Sequence, residues 1–325
     1  MNQERLAVVL LAVLVLIGMA FGQSAQLELG DGPWGEVDSS RPMDPDEATI
    51  RNAWATLLSG QPAKARSMLN TWLRENRGTG NQWAATALLV RGDAKAAQGN
   101  EYDALFDYEE IQRNFPGTPE YVQAAERVLA ISVEYLEGKR RKFLGMRIIG
   151  AQGDGEELLV RISERLPGSQ LAERAQLELG AYYRRIGEFA QAREVYGIFL
   201  ESFPNSTYYR AVLLARIEAT FAQYNGPQYD GSSLLETLEL LDLYVARYPG
   251  DLEVQAELDA LRVRIDESQG QQVLGMARVY LLRNEKASAR YVLRRLLRDH
   301  PRTTAAREGL EILRDRGWLS AGDVP

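Results

Sequence analysis

His300 is the only histidine in this 325-residue chain, and there is no cysteine. A hydrolytic triad or a zinc site would have to be built around that one ring, which stands directly before Pro301, where a helix must end. The lack of cysteine removes thiolate metal sites, cysteine nucleophiles, disulfides and lipidation at cysteine. GAQGDG, Gly150 to Gly155, has glycines in the wrong order for a phosphate loop and follows no strand-like run. It reads as a hinge inside an insertion. Glu156-Glu157 falls on a helical stretch and reads as a solvated face rather than a catalytic pair. The expectation is a chain that is not an enzyme, with no catalytic group, no metal and no cofactor. What these residues can do is present surfaces, and the presenting elements are repeats.

Four stretches share one ladder: a small residue, a turn residue seven positions on, and a second small residue twelve positions on. Gly92, Gly99, Ala104 and Pro116 form one set; Gly180, Gly187, Ala192 and Pro204 a second; Ala277, Asn284, Ala289 and Pro301 a third. Ala53, Gly60 and Ala65 form a fourth, with Arg77 where the others have proline. Small side chains let two antiparallel helices approach closely. Gly or Asn suits the left-handed residue that ends the first helix, and proline closes the second. Leu69, Tyr108, Tyr196 and Leu293 follow the second small residue by four, on the same helix face. Each unit is a helix hairpin of about 34 residues, the period of tetratricopeptide repeats. The fold class is therefore all-α, a solenoid of five to six such hairpins, an architecture that usually binds rather than catalyses.

The composition is that of a globular protein, 45% hydrophobic and 26% charged, and the formal net charge of −7 disfavours a broad nucleic-acid surface. The N-terminus departs from this. Leu6 to Phe21 is apolar throughout, and Ala20-Phe21-Gly22 offers a small-x-small cleavage site. As a helix it would reach about 24 Å at ~1.5 Å per residue, short of a hydrocarbon core of about 30 Å. The spacing predicts a cleaved signal peptide over residues 1–22; an uncleaved anchor is the alternative. Either way the solenoid is expected to be exported. Residues 23–45, rich in Gly, Asp, Ser and Pro, read as a flexible tether. The solenoid occupies 46–315, and 316–325 form a tail that reads as frayed, although Trp318 could fold back onto the cap.

Hairpins are expected over Glu47–Asn76, Gln82–Phe115, Glu120–Pro167, up to Pro204, Tyr208–Pro249 and Leu252–Pro301, with a capping helix over Thr304–Asp315. The interval from Pro116 to Pro167 exceeds one period, and the excess lies in Glu137 to Gly155. A second excess is the loop Tyr224 to Ser233, and a third the long leading helix from Leu252.

In tetratricopeptide hairpins, two positions after the first small residue line the concave wall. Here they are Trp54 and Leu57, Asp93 and Ala96, Ala181 and Arg184, Arg278 and Leu281. Such a wall would be apolar at its N-terminal end and more basic towards its C-terminal end, suited to an extended segment with aromatic residues and a terminal carboxylate. Trp54 and Leu57 fit an ordinary core equally well. Lys139-Arg140-Arg141-Lys142 beside FLGMRIIG could meet an acidic partner or a lipid surface, or be a solvated helix end followed by a packed helix. Tyr224 and Tyr229 flank a loop suited to an interface, or one that plugs its own repeat.

The order of these irregular units resembles the BamD family of outer-membrane assembly factors. LEGKRRKFLG in the third unit looks like that family's extended connection. YNGPQYD followed by LLETLELLDLYVARYPG resembles its lengthened later repeat, and ARVYLLRNEKASARYVLRRLLRDHPRTTAAREGL its C-terminal hairpin. The resemblance spans about Asp46 to Leu313. It implies a periplasmic scaffold at the outer membrane of a diderm bacterium, docked on β-barrel assembly machinery and helping deliver unfolded β-barrel precursors. Its N-terminal repeats would face the client and its C-terminal repeats the machinery, with peripheral or indirect membrane association. The family typically carries a cysteine just after the signal; here that region reads GMAFGQSAQ. Lipid anchoring through cysteine is thereby excluded, and the protein would be soluble, held by partners or held by an uncleaved signal. A periplasmic adaptor for cell-wall synthesis or envelope division is the alternative.

If Ala192 is the close-approach residue of the fourth hairpin, Ala192→Trp overpacks it. The expected loss is about 1–3 kcal/mol or more, read from thermal melting; an unchanged melting curve removes Ala192 from that contact.

Overall fold

Each ladder turn residue sits in the left-handed region of backbone space: Gly60 at φ 77°, Gly99 at 70°, Gly187 at 83° and Asn284 at 60°. Asn284 is the sole non-glycine residue with positive φ among the described residues, in keeping with the tolerance of asparagine for this conformation. The computed structural model describes residues 44–319 apart from 144, together with the backbone of 27–28 and 35–36. The segment 1–22, on which the signal peptide is expected, most of the tether and residues 320–325 lie outside the described residues.

Thirteen helices are seen among the described residues. They are α1 (Pro45–Leu58), α2 (Pro62–Glu75), α3 (Ala84–Ala97), α4 (Glu101–Asn114), α5 (Pro119–Leu136), α6 (Gln152–Arg165) and α7 (Gln170–Ile186). They continue with α8 (Phe189–Ser202), α9 (Tyr209–Ala222), α10 (Ser232–Arg247), α11 (Leu252–Leu282), α12 (Lys286–Asp299) and α13 (Thr304–Asp315). Two short antiparallel strand pairs accompany them: β1 (Leu27–Glu28) with β2 (Gly35–Glu36), and β3 (Arg141–Phe143) with β4 (Met146–Ile149). Consecutive helices pair as six hairpins, and α13 packs on both α11 and α12 as a cap. The all-α hairpin solenoid expected from the ladder is the observed fold.

The proline rung acts through the residue before it. Phe115, Leu166, Phe203, Tyr248 and His300 each cap a second helix with φ between −126° and −130° and ψ between 49° and 60°. The proline ring disfavours the helical region for its predecessor, so five helices stop in one conformation. Where Arg77 replaces proline, Asn76 caps α2 with φ −97° and ψ 11°.

At the small rungs the helices touch. A Cβ placed on Gly92 would lie 2.6 Å from Cε1 of Tyr108, and one on Gly180 would lie 2.4 Å from Cε1 of Tyr196. Where the first small residue is alanine, as at Ala53 and Ala277, the large partner is leucine, Leu69 or Leu293, and all four are fully buried. Gly goes with Tyr, and Ala with Leu: the volume of the pair is conserved at each crossing. Two further rungs sit twelve residues before Pro167 and Pro249, at Gly155 and Thr237. A Cβ on Gly155 would meet the Ser132 carbonyl at 2.9 Å, and Thr237 is fully buried. The GAQGDG stretch is therefore not a hinge, and it does follow a strand, β4. Its last four residues form the first turn of α6, and Gly155 is a helix contact.

The core divides into four clusters along the stack. Ile50, Leu69, Trp72 and Val90 join α1, α2 and α3. Leu89, Tyr108, Leu129, Leu159 and Leu179 run from α3 to α7. Phe199, Leu213, Leu241, Leu258 and Ile265 run from α8 into the first half of α11. Leu274, Leu293, Leu296 and Leu313 join the rest of α11 to α12 and α13. Trp318 packs against this last cluster and its amide donates to the Leu313 carbonyl at 2.8 Å, so this ring does fold back.

Gly180→Ala inserts a methyl group into the Tyr196 ring. Overpacking costs about 1–3 kcal/mol, and the better helix propensity of alanine returns up to about 1 kcal/mol. The single variant is expected to melt lower, and Gly180→Ala combined with Tyr196→Leu to recover, because it reproduces the Ala–Leu pair of the first and last hairpins. Additive effects in this double-mutant cycle would show that the two residues are not in contact.

Candidate interaction surface

The expected wall positions lie on the first helices α1, α3, α7 and α11. Trp54 is 37% exposed, and Leu57 is half-buried against the first core cluster. The charged wall positions are already engaged, each by the next first helix of the stack. Asp93 on α3 accepts from Arg127 Nε of α5 at 3.1 Å, and from the Tyr108 hydroxyl at 2.8 Å. Arg184 on α7 donates to Glu218 of α9 at 3.0 Å. Arg278 on α11 donates to Glu308 of α13 at 2.5 Å. Burial, followed by the neighbouring Asp93 carboxylate, pushes the Tyr108 phenol far up, so it remains a donor. The two exposed pairs, Arg184–Glu218 and Arg278–Glu308, contribute about 0–1 kcal/mol each.

The basic cluster takes a form the sequence did not suggest. Glu137 to Gly155 is not a helix end followed by a packed helix; Arg141–Phe143 and Met146–Ile149 form the hairpin β3–β4. It folds back over the turn between α3 and α4. Lys142 Nζ donates to the Gln98 carbonyl at 2.8 Å, and Arg147 donates to the Gly99 carbonyl at 3.3 Å. Glu101, buried at the start of α4, receives Arg147 at 2.7 Å and Lys139 at 2.8 Å. Arg141 lies over the Tyr102 ring at 4.3 Å and pairs with Asp154 at 3.2 Å. Arg140 is exposed. Most of the predicted basic patch is thus a clamp, and sequence spacing could not reveal it because Glu101 lies far away in the chain. Beside the clamp the exposed rings Tyr102 and Phe106 meet edge to face at 5.3 Å, on a helix face the ladder does not mark.

The two loop tyrosines divide the roles suggested for them. Tyr224 packs against the fifth hairpin's core, and burial raises its phenol pKa. Tyr229 is 57% exposed, while its carbonyl accepts from Gln272 Nε2 at 2.9 Å. His300 caps α12 with Nδ1 2.7 Å from Asp266 of α11, a contact internal to the last hairpin. Among the described residues no group of three His, Cys, Asp or Glu is placed to hold a metal ion, and no helix is long and apolar enough to cross a membrane.

A family model described as a tetratricopeptide repeat matches residues 174–206 and 273–303. These are the hairpin α7–α8 and the hairpin made by the second half of α11 with α12. Over these two stretches the chain carries tetratricopeptide repeats, and repeats of this kind point to protein partners. Among solved structures it is similar to a tetratricopeptide repeat protein from Parabacteroides merdae, at 14% identity and a TM-score of 0.37, over 82% of this chain and 98% of that one. It is also similar to the C-terminal part of a repeat-containing protein from Cytophaga hutchinsonii, at 14% identity and 0.37, over 83% and 89%. A third, a repeat protein of Thermus thermophilus, stands at 14% and 0.28, over 66% and 97%. No curated protein matches the chain.

Burial opposes ionisation of Glu101, but hydrogen bonds from Arg147 and Lys139 outweigh it and hold its pKa below the ordinary value. A carboxylate depressed in the folded state stabilises above its unfolded pKa, and that stability is lost as the pH falls through the folded one. Wild type should therefore melt above Glu101→Gln at neutral pH. The gap should begin to close below the ordinary glutamate pKa and vanish only below the depressed one. A gap that does not change with pH would rule out the ionised carboxylate as the clamp.

Proposed function

We propose that the protein is an exported, non-enzymatic scaffold of BamD type, working in the periplasm at the outer membrane of a diderm bacterium. It binds β-barrel assembly machinery and unfolded segments of outer-membrane proteins. The observation that carries this reading is the order of irregular units: a clamped insertion in the third hairpin, a long loop in the fifth, and a leading helix of 31 residues in the sixth. That order, rather than any single repeat, is what resembles the family. The surface supports it. Trp54, Leu58, Tyr102, Phe106 and Tyr229 expose apolar and aromatic area that an extended client can cover. The apolar run Leu6 to Phe21 supports export.

The absence of cysteine favours a second reading, a periplasmic adaptor in cell-wall synthesis or envelope division, which needs no lipid anchor. A cross-linked pull-down of the tagged protein from envelope fractions, read by mass spectrometry, separates the two. Recovery of a barrel-inserting outer-membrane protein, with loss of barrel proteins on depletion, is the expected result. Recovery of wall or division proteins alone, with normal barrel levels, overturns the first reading in favour of the second.

A further inference from the structure

The 31 residues of α11 serve two hairpins. Leu258 and Ile265, in its first half, are buried in the fifth hairpin's cluster, and Arg264 lies over Phe221 of α9 at 4.9 Å. Val273, Leu274 and Ala277, in its second half, belong to the cluster with α12 and α13, and the second repeat match begins at Val273. The polar run from Asp266 to Gln272 separates the two halves. At its end the α9–α10 loop reaches α11 through the Gln272–Tyr229 hydrogen bond.

The ladder aligns Gly180 of α7 with Ala277 of α11, and so sets Leu179 and Tyr182 against Met276 and Val279. Leu179 and Tyr182 are 5% and 7% exposed, within a cluster shared with the third hairpin. Met276 and Val279 are 43% and 45% exposed, and Leu282 is 87% exposed. A Cβ on Gly275 would meet nothing within 4 Å. Gln272, Met276, Val279 and Arg283 recur at helical spacing and share one flank. That flank is covered by the preceding hairpin in α7. In α11 the α9–α10 loop covers it at Gln272, but from Met276 to Arg283 it is bare among the described residues, because the preceding hairpin packs on the other half of the helix.

Charge favours one kind of occupant. Residues 273–319 hold eleven Lys or Arg against five Asp or Glu, in a chain whose net charge is −7. Arg283 and Lys286 are exposed beside the apolar stripe. We propose that the bare flank of α11 seats an acidic amphipathic helix of a partner protein. Its apolar face covers Met276, Val279 and Leu282, and its carboxylates face Arg283 and Lys286. The partner helix completes the stack in trans, by helix-in-groove recognition. This surface is independent of which envelope complex the scaffold joins.

The test is calorimetric titration of the full chain with two synthetic helical peptides that share one leucine stripe, one with glutamate and one with lysine at the remaining positions. The glutamate peptide is expected to bind and the lysine peptide not. Val279→Glu and Arg283→Glu should each weaken binding at least tenfold with unchanged melting, since both residues are exposed, and Leu58→Glu on α1 should leave it intact. Four results would overturn the proposal. One is binding of neither peptide, or of both equally. Another is variants that bind like wild type. A third is a dimer in sedimentation that Val279→Glu converts to monomer, which would make a second copy the occupant. The last is co-sedimentation with phosphatidylglycerol vesicles, lost in Arg283→Glu, with no affinity for the glutamate peptide.

Discussion

Everything in this stack depends on how closely two antiparallel helices can approach at one point in each hairpin. At Gly92 and Gly180 there is no room for even a methyl group, because the rings of Tyr108 and Tyr196 occupy the space. At Ala53 and Ala277 the methyl group is present and a smaller leucine faces it. Interiors pack to near-crystalline density, so the two solutions are the same constraint met with different division of volume. The Tyr solution also adds a polar reach: the Tyr108 hydroxyl donates to Asp93, which in turn holds Arg127 of the next hairpin. One crossing thereby couples packing within a hairpin to registry between hairpins.

Because each hairpin packs chiefly on its neighbours, extra chain between the rungs is absorbed locally. The third hairpin carries a β-hairpin between its helices and still closes at Gly155, Leu159 and Pro167. The excess does not dangle. It is returned to the previous turn and anchored on Glu101, a buried carboxylate satisfied by Arg147 and Lys139. The fifth hairpin spends its excess in a loop that buries Tyr224 and displays Tyr229. In the sixth, the excess lengthens α11, so one helix reaches two core clusters and leaves part of its own flank uncovered.

The charged surface follows the same logic. Wall residues on successive first helices pair with each other, from Asp93–Arg127 to Arg184–Glu218 and Arg278–Glu308. Charges that neutralise one another leave little net field along these helices. The last hairpin and cap differ, since their basic excess is not balanced within the same segment. A basic end on an acidic chain concentrates positive potential in one place.

The sequence by itself determined the hairpin ladder, the turn at Asn284, the stop before each rung proline and the capping helix. All of these are set by residues near one another in the chain. Left-handed turns, pre-proline stops and i, i+4 faces are local stereochemistry, legible from residue type and spacing. The rungs at Gly155 and Thr237 were hidden because insertions break the interval that marks the others. Tertiary structure alone decided what the charged candidates face. Asp93, Arg184 and Arg278 find partners about one repeat away, and Lys139 and Arg147 converge on Glu101 from across the insertion. Only the stack showed that Met276 and Val279 stay bare where Leu179 and Tyr182 are buried. Burial of a helix flank depends on which neighbour reaches it, and that is a property of how the hairpins stack rather than of any stretch of chain.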